Sequence, residues 1–97
     1  MKRKIEKFPL RSPNCKIKMP EGARILCTAF DKECESLCVF AEVDPDELDT
    51  EERTFFIISE KGQEFDINDT IYINTYTTPI SGYVWHIYER FDGNYDL

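Results

Sequence analysis

The sequence predicts a single, mainly antiparallel all-β domain, a small barrel or sandwich of about six to seven short strands with at most one short helical turn. Three observations lead there. Stretches rich in β-branched and aromatic residues recur roughly every ten residues and are separated by turn signals. Almost no helical apolar period is present, and there is no internal repeat or low-complexity tract. The chain has 97 residues, 41% of them apolar, with seven Phe, five Tyr and one Trp, which is one domain's worth of chain with enough apolar side chain for one core. The expected domain spans residues 1–97, with a loose start at 1–4 and a loose tail at 91–97. A chain of this size buries only about 60 to 65% of its unfolded surface, so a homo-oligomer is a natural way to add stability.

The elements follow in order. IEKF is an extended start that Pro9 confines to a sheet edge or strand end. CKIKM alternates Cys15, Ile17 and Met19 with Lys16 and Lys18, so one face is buried and the other wet. PEGA reads as a turn, with Pro20 presetting φ and Gly22 tolerating a positive φ, and a hairpin into RILCTAF is expected. DKECE is a polar turn that pairs RILCTAF with LCVFAEV as the two central strands. Pro45 ends the fourth strand, and DELDTEE is the place for the one short helical turn. RTFFIISE follows, its apolar run Phe55–Ile58 suggesting a strand covered on both faces. EKGQ makes a hairpin-type turn around Gly62. In IYINTYT strict alternation sets Ile71 and Ile73 against Tyr72, Asn74 and Tyr76, and TPISG turns into YVWHIYE.

Charge is uneven. Residues 1–24 hold eight basic side chains against Glu6 and Glu21, while the other 73 hold four basic and seventeen acidic, for a net −7. The acid is concentrated in DPDELDTEE. Such a run is a solvated loop or an acidic face for a basic partner, which makes Asp44, Asp46 and Glu47 candidate binding residues. The negative balance argues against direct nucleic-acid binding, because that affinity comes mainly from Lys and Arg on phosphates.

MKRKIEKFPLRSPN lacks the apolar core of a signal peptide, and no stretch approaches the roughly 20 apolar residues of a membrane span. A cytoplasmic setting with no membrane partner is expected. Cys15, Cys27, Cys34 and Cys38 would then stay reduced. Their spacing fits no paired C-x-x-C pattern, so no metal site and no cofactor are expected, and Cys27 and Cys38 read as small core hydrophobes.

Nothing points to catalysis. His86 has no nucleophile signature around it, the carboxylates crowd a loop without an enclosing pocket, and phosphate-binding and zinc-protease motifs are missing. The chain reads as non-enzymatic. The remaining candidates are Tyr72, Tyr76, Tyr83, Trp85 and Tyr88, which fill the core or form a patch for a protein or a nucleotide base. His86 sits among them, and Arg53 has the planar fork that suits a phosphate or a carboxylate.

The order KFPL, M-PEGARIL, CVFAEVDP, E-x-RTFFI and YVWHIYE resembles a family of short phage and prophage proteins known only as a domain of unknown function, DUF7352-like. The match runs over about residues 3–89 and rests on Phe8, Pro9, Pro20, Gly22, Ala23, Ile25, Leu26, Asp44, Pro45, Arg53, Thr54, Phe55, His86 and Glu89. The family's turn after R-T-F tends to carry Gly and His where this chain has SEKGQEF, and its acidic loop is less charged. The resemblance implies a phage accessory protein with a compact β fold, working in the cytoplasm of a bacterial host cell, and assigns no ligand. Three roles are therefore open. One is an inhibitor docking on a host or bacterial defence protein. The second is an oligomeric sponge for a small nucleotide signal, and the third is a virion-associated structural part.

Overall fold

The computed structural model describes residues 1–79 and 81–91. Seven strands appear in chain order, β1 (Lys4–Pro9), β2 (Asn14–Pro20), β3 (Arg24–Asp31), β4 (Ser36–Val43), β5 (Thr50–Ile58), β6 (Thr70–Thr77) and β7 (Val84–Arg90). They form two antiparallel sheets, one ordered β1-β4-β3 and the other β2-β5-β7-β6. The fold is a small all-β sandwich and not a closed barrel. β1 already begins at Lys4, and residues 92–97 of the expected tail lie outside the described residues.

The core forms where the inward residues of the two sheets meet. Leu37, Val39, Ala41 and Val43 from β4 meet Met19 from β2, Phe55 from β5 and Ile87 from β7, with Leu10 and Ala23 at the two ends. β4 and β5 supply most of the buried side chains because β4 is apolar at six of its eight positions and β5 is apolar throughout its second half, Phe55–Ile58. The run Phe55–Ile58 is covered on both faces as its sequence implies. Phe55 is in the core, while Phe56 packs on the outer face against Phe65 and Tyr88.

Four expectations need correction. The turn at Pro20–Ala23 forms, with Ala23 N–H donating to Pro20 O at 3.2 Å and Gly22 at φ 80°, but β2 and β3 are not a hairpin. β2 pairs with β5, and β3 pairs with β4. The reason is that the turn's outward amides bind the segment leading into β5. Glu21 N–H donates to Asp49 O at 2.9 Å, and Gly22 N–H to Glu51 Oε2 at 3.0 Å. A turn reverses the chain, but the hydrogen-bonding edge it is clamped to chooses the partner. Likewise the turn around Gly62 does not join a hairpin, because β7 inserts between β5 and β6. The β3–β4 and β6–β7 hairpins form as expected, although only β4 of the first pair is central and β3 is an edge.

In place of a helical turn, the β4–β5 loop makes a β-turn at Asp44–Glu47, with Glu47 N–H on Asp44 O at 3.1 Å and Asp46 N–H on Asp44 Oδ1 at 2.9 Å. Asp49 N–H similarly donates to Glu47 Oε2 at 3.1 Å. Part of the acidic run therefore caps its own loop amides.

Candidate functional site

The antiparallel order places the strand ends in two groups, and the candidate residues divide between them. At the end formed by the β1–β2, β3–β4 and β6–β7 connections, the sheets part to leave a cleft of about 660 Å³. Its apolar lining comes from Leu10, Phe30, Leu37, Ile57, Tyr76 and Trp85. Leu10 and Leu37 are buried members of the core that reach the cleft, and Phe30, Ile57, Tyr76 and Trp85, each second or next to last in its strand, complete the apolar lining. Tyr76 and Trp85 are paired across β6 and β7, with ring centroids 6.2 Å apart. Phe30 on the rim is 49% exposed. Arg11 and Glu35 supply charge at the mouth, and Ser12, Ser36, Ser59, Thr78 and Ser81 supply hydroxyls. A cleft of this size and composition lies within the range of ligand-binding cavities, about 300–1,000 Å³.

The opposite end carries the acidic loop and the second candidate, Arg53. Its guanidinium is not presented to solvent. Nε and Nη2 grip Glu89, the latter at 3.1 Å to Oε1, and Nη1 donates to Ala23 O at 2.9 Å and approaches Glu51 Oε2 at 3.4 Å. The side chains of Arg53 and Glu89 are 14% and 5% exposed, so the pair is nearly dry. The Glu89 carboxylate, ahead of the opposing effect of burial, raises the Arg53 pKa further above its ordinary value. A smaller cleft of about 460 Å³ is lined by this pair together with Leu26, Ile71 and Tyr72. Asp44, Asp46 and Glu47 stand on the loop beyond, where Leu48 is 92% exposed.

Tyr72 and His86 lie on a third surface, the outer face of the β6–β7 pair. A register shift in β6 between Tyr72 and Asn74 breaks the alternation that the sequence implies. Tyr72 therefore faces outward toward Tyr88, while Asn74 and Tyr76 face the core side. This bulge is what separates Tyr72 from Tyr76. Tyr72 Oη and Thr75 Oγ1 are 2.6 Å apart, and Thr75 Oγ1 lies 2.9 Å from His86 Nδ1. The chain of groups is exposed on an open sheet face, where no cavity would exclude water from a reacting hydroxyl. Tyr88 stacks on Phe56 with centroids 5.4 Å apart, and Arg90 covers the other part of that ring at 4.7 Å.

Of the sequence candidates, the structure joins Tyr76 with Trp85, and Arg53 with the rim of Tyr72's cleft. It does not bring Arg53 to the Tyr76–Trp85 pair. Sequence reasoning missed Leu10, Phe30, Leu37 and Ile57 as site residues. Their only signal was a position at a strand end, and that becomes a cleft wall only when the sheets are placed.

Residues 1–96 match the family described as a domain of unknown function, DUF7352. The chain belongs to that family. No curated protein and no solved structure matches it, so this member must be read from its own residues. Among the described residues, no helix is long and apolar enough to cross a membrane.

Proposed function

We propose that this DUF7352 member is a non-catalytic binding protein, a phage-encoded inhibitor that docks on a host or bacterial defence protein in the cytoplasm. The carrying observation is the Tyr76–Trp85 cleft, an apolar recess open at one end of the sandwich. It suits one apolar or aromatic side chain of a target, the kind of buried anchor that dominates protein interfaces. Phage origin rests on the ordered motifs from KFPL to YVWHIYE. The acidic end adds long-range attraction for a basic target surface rather than an anchor. The nucleotide-sponge reading has less support, because Arg53, the arginine singled out for it, is held by Glu89 at the other end of the sandwich, which leaves that role at the cleft to Arg11. No observation favours a virion-associated role.

The test is affinity capture from lysate of a bacterial host, followed by native mass measurement of the complex. Phe30→Glu places a charge on the cleft rim at an exposed position, so the fold survives. A stoichiometric protein held by the wild type and by Asp46→Asn/Glu47→Gln, but lost with Phe30→Glu, is the expected result. Loss with the acidic-loop variant and retention with Phe30→Glu would overturn the cleft as the anchor.

A further inference from the structure

We infer that Asp31, Cys34 and Cys38 form a binding site for one thiophilic divalent cation of the zinc class. The three residues come from the β3–β4 hairpin and sit on the outer face of its sheet, away from the core cluster. One carboxylate oxygen and the two sulfurs all lie within 4.8 Å of one another. A tetrahedral zinc with sulfur at about 2.3 Å and oxygen at about 2.0–2.2 Å spaces its ligand atoms by about 3.5–3.8 Å, so small side-chain rotations close the site. Two thiolates with a carboxylate select zinc-like ions over magnesium or calcium, which prefer all-oxygen ligands.

The hairpin holds the ligands in place. Asp31 pairs with Ser36 where the strands close, and the turn folds Cys34 back so that its N–H donates to Asp31 Oδ2 at 2.9 Å. Cys38 is fully buried, its Sγ beside Ser36 Oγ at 3.9 Å, whereas Cys34 is exposed. The cation would therefore enter from solvent, displace the thiol protons and keep a water in its fourth position. Lys7 Nζ contacts Asp31 Oδ2 at 2.9 Å and Glu33 Oε1 at 2.7 Å. It competes for the carboxylate but also balances charge, since two thiolates and a carboxylate are neutralised by a divalent cation and one ammonium together. The spacing D-x-x-C-x-x-x-C hides the site from a sequence reading. It becomes a cluster only when a β-hairpin brings the turn over its own strand.

Phe30, Glu35, Ser36 and Leu37 of the same hairpin line the cleft, so an occupied site would brace one cleft wall. The test is titration of the reduced, metal-free protein with Co²⁺, followed by Zn²⁺ displacement. One equivalent giving thiolate-to-cobalt charge-transfer absorption and tetrahedral visible bands is the expected outcome. Cys34→Ser, a change at an exposed position, should weaken binding at least about tenfold and remove the rise in melting temperature that Zn²⁺ gives the wild type. Cys15→Ser, in the other sheet, should leave both intact. Absence of the charge-transfer band at stoichiometric Co²⁺, or its full persistence in Cys34→Ser, would overturn the assignment.

Discussion

Arg53 and Glu89 carry opposite charges in a place where water hardly reaches. Each satisfies the other's fork geometry, and Ala23 O takes one more donor from the arginine. Removing one member strands the other, and such a stranded buried charge costs about 3–5 kcal/mol, whereas replacing both by apolar residues of similar volume is often neutral. Arg53→Met and Glu89→Leu should each lower the unfolding free energy by about 3 kcal/mol, and the double variant should recover most of that loss. Urea denaturation of the three variants checks this; additive losses in the double variant would show that the two side chains act independently. The same geometry explains why an arginine that looked suited to a phosphate serves the fold. Its partner lies 36 positions away, and no local pattern marks Glu89 as buried.

At the scale of the element, the β3–β4 hairpin is tied to β1 through Lys7. The Lys7 ammonium and the Cys34 amide hold the Asp31 carboxyl below its ordinary range. A carboxyl with a depressed folded-state pKa stabilises the fold above its unfolded value of about 3.9, and that contribution is lost as pH falls through the lower folded value. Lys7 is shifted upward chiefly by Glu33 and then Asp31, so its share persists until the pH passes above the ordinary lysine range of about 10.4. Asp31→Asn should therefore be less stable than the wild type at neutral pH, with the gap closing as the pH falls below the ordinary aspartate value of about 3.9. A gap that stays constant across paired unfolding curves would remove this ion pair from the hairpin's stability. The strand pattern was legible here, since DKECE signalled a turn, but the Lys7 contact was not, because it depends on β1 pairing with the far side of β4, which no local pattern marks.

Across the whole molecule, one side chain does much to join the two sheets along their β3 and β6 edges. The β6 bulge turns Asn74 toward β3, where Oδ1 accepts from Thr28 N–H at 2.9 Å and Thr28 Oγ1 at 2.7 Å, and Nδ2 donates to Thr28 O at 3.0 Å. The amide thereby acts as a short stretch of neighbouring strand for an edge that has no other sheet partner. With a net value near 1 kcal/mol per bond and a buried Thr28 amide left unpaired, Asn74→Ala should cost about 2–4 kcal/mol. The exposed Thr75→Ala should cost less than about 1 kcal/mol. Denaturant midpoints compare the two, and faster hydrogen exchange at the Thr28 amide should accompany the first alone. Equal losses for both would mean that the Asn74 bonds to Thr28 stabilise the fold no more than the exposed Thr75 hydroxyl does.

The alternating lysines of CKIKM, the apolar run of RTFFIIS, the turn residues Pro20 and Gly22 and the β6–β7 hairpin are local signals, and they determine the number of strands, most of their bounds and an antiparallel all-β fold. The ordered motifs also carry the family. Only the tertiary structure decided that β2 leaves its sequence neighbour for β5, that Tyr72 and Tyr76 face opposite ways, and that Arg53 is spent on Glu89. It also decided that a turn cysteine lies over a strand cysteine and an aspartate. The last of these follows from one hairpin folding its turn over its own strand; the other three share one physical reason. A strand's period fixes which residues share a face, but sheet partners and bulges are chosen by hydrogen bonds and burial between segments far apart in the chain, and no single segment contains that information.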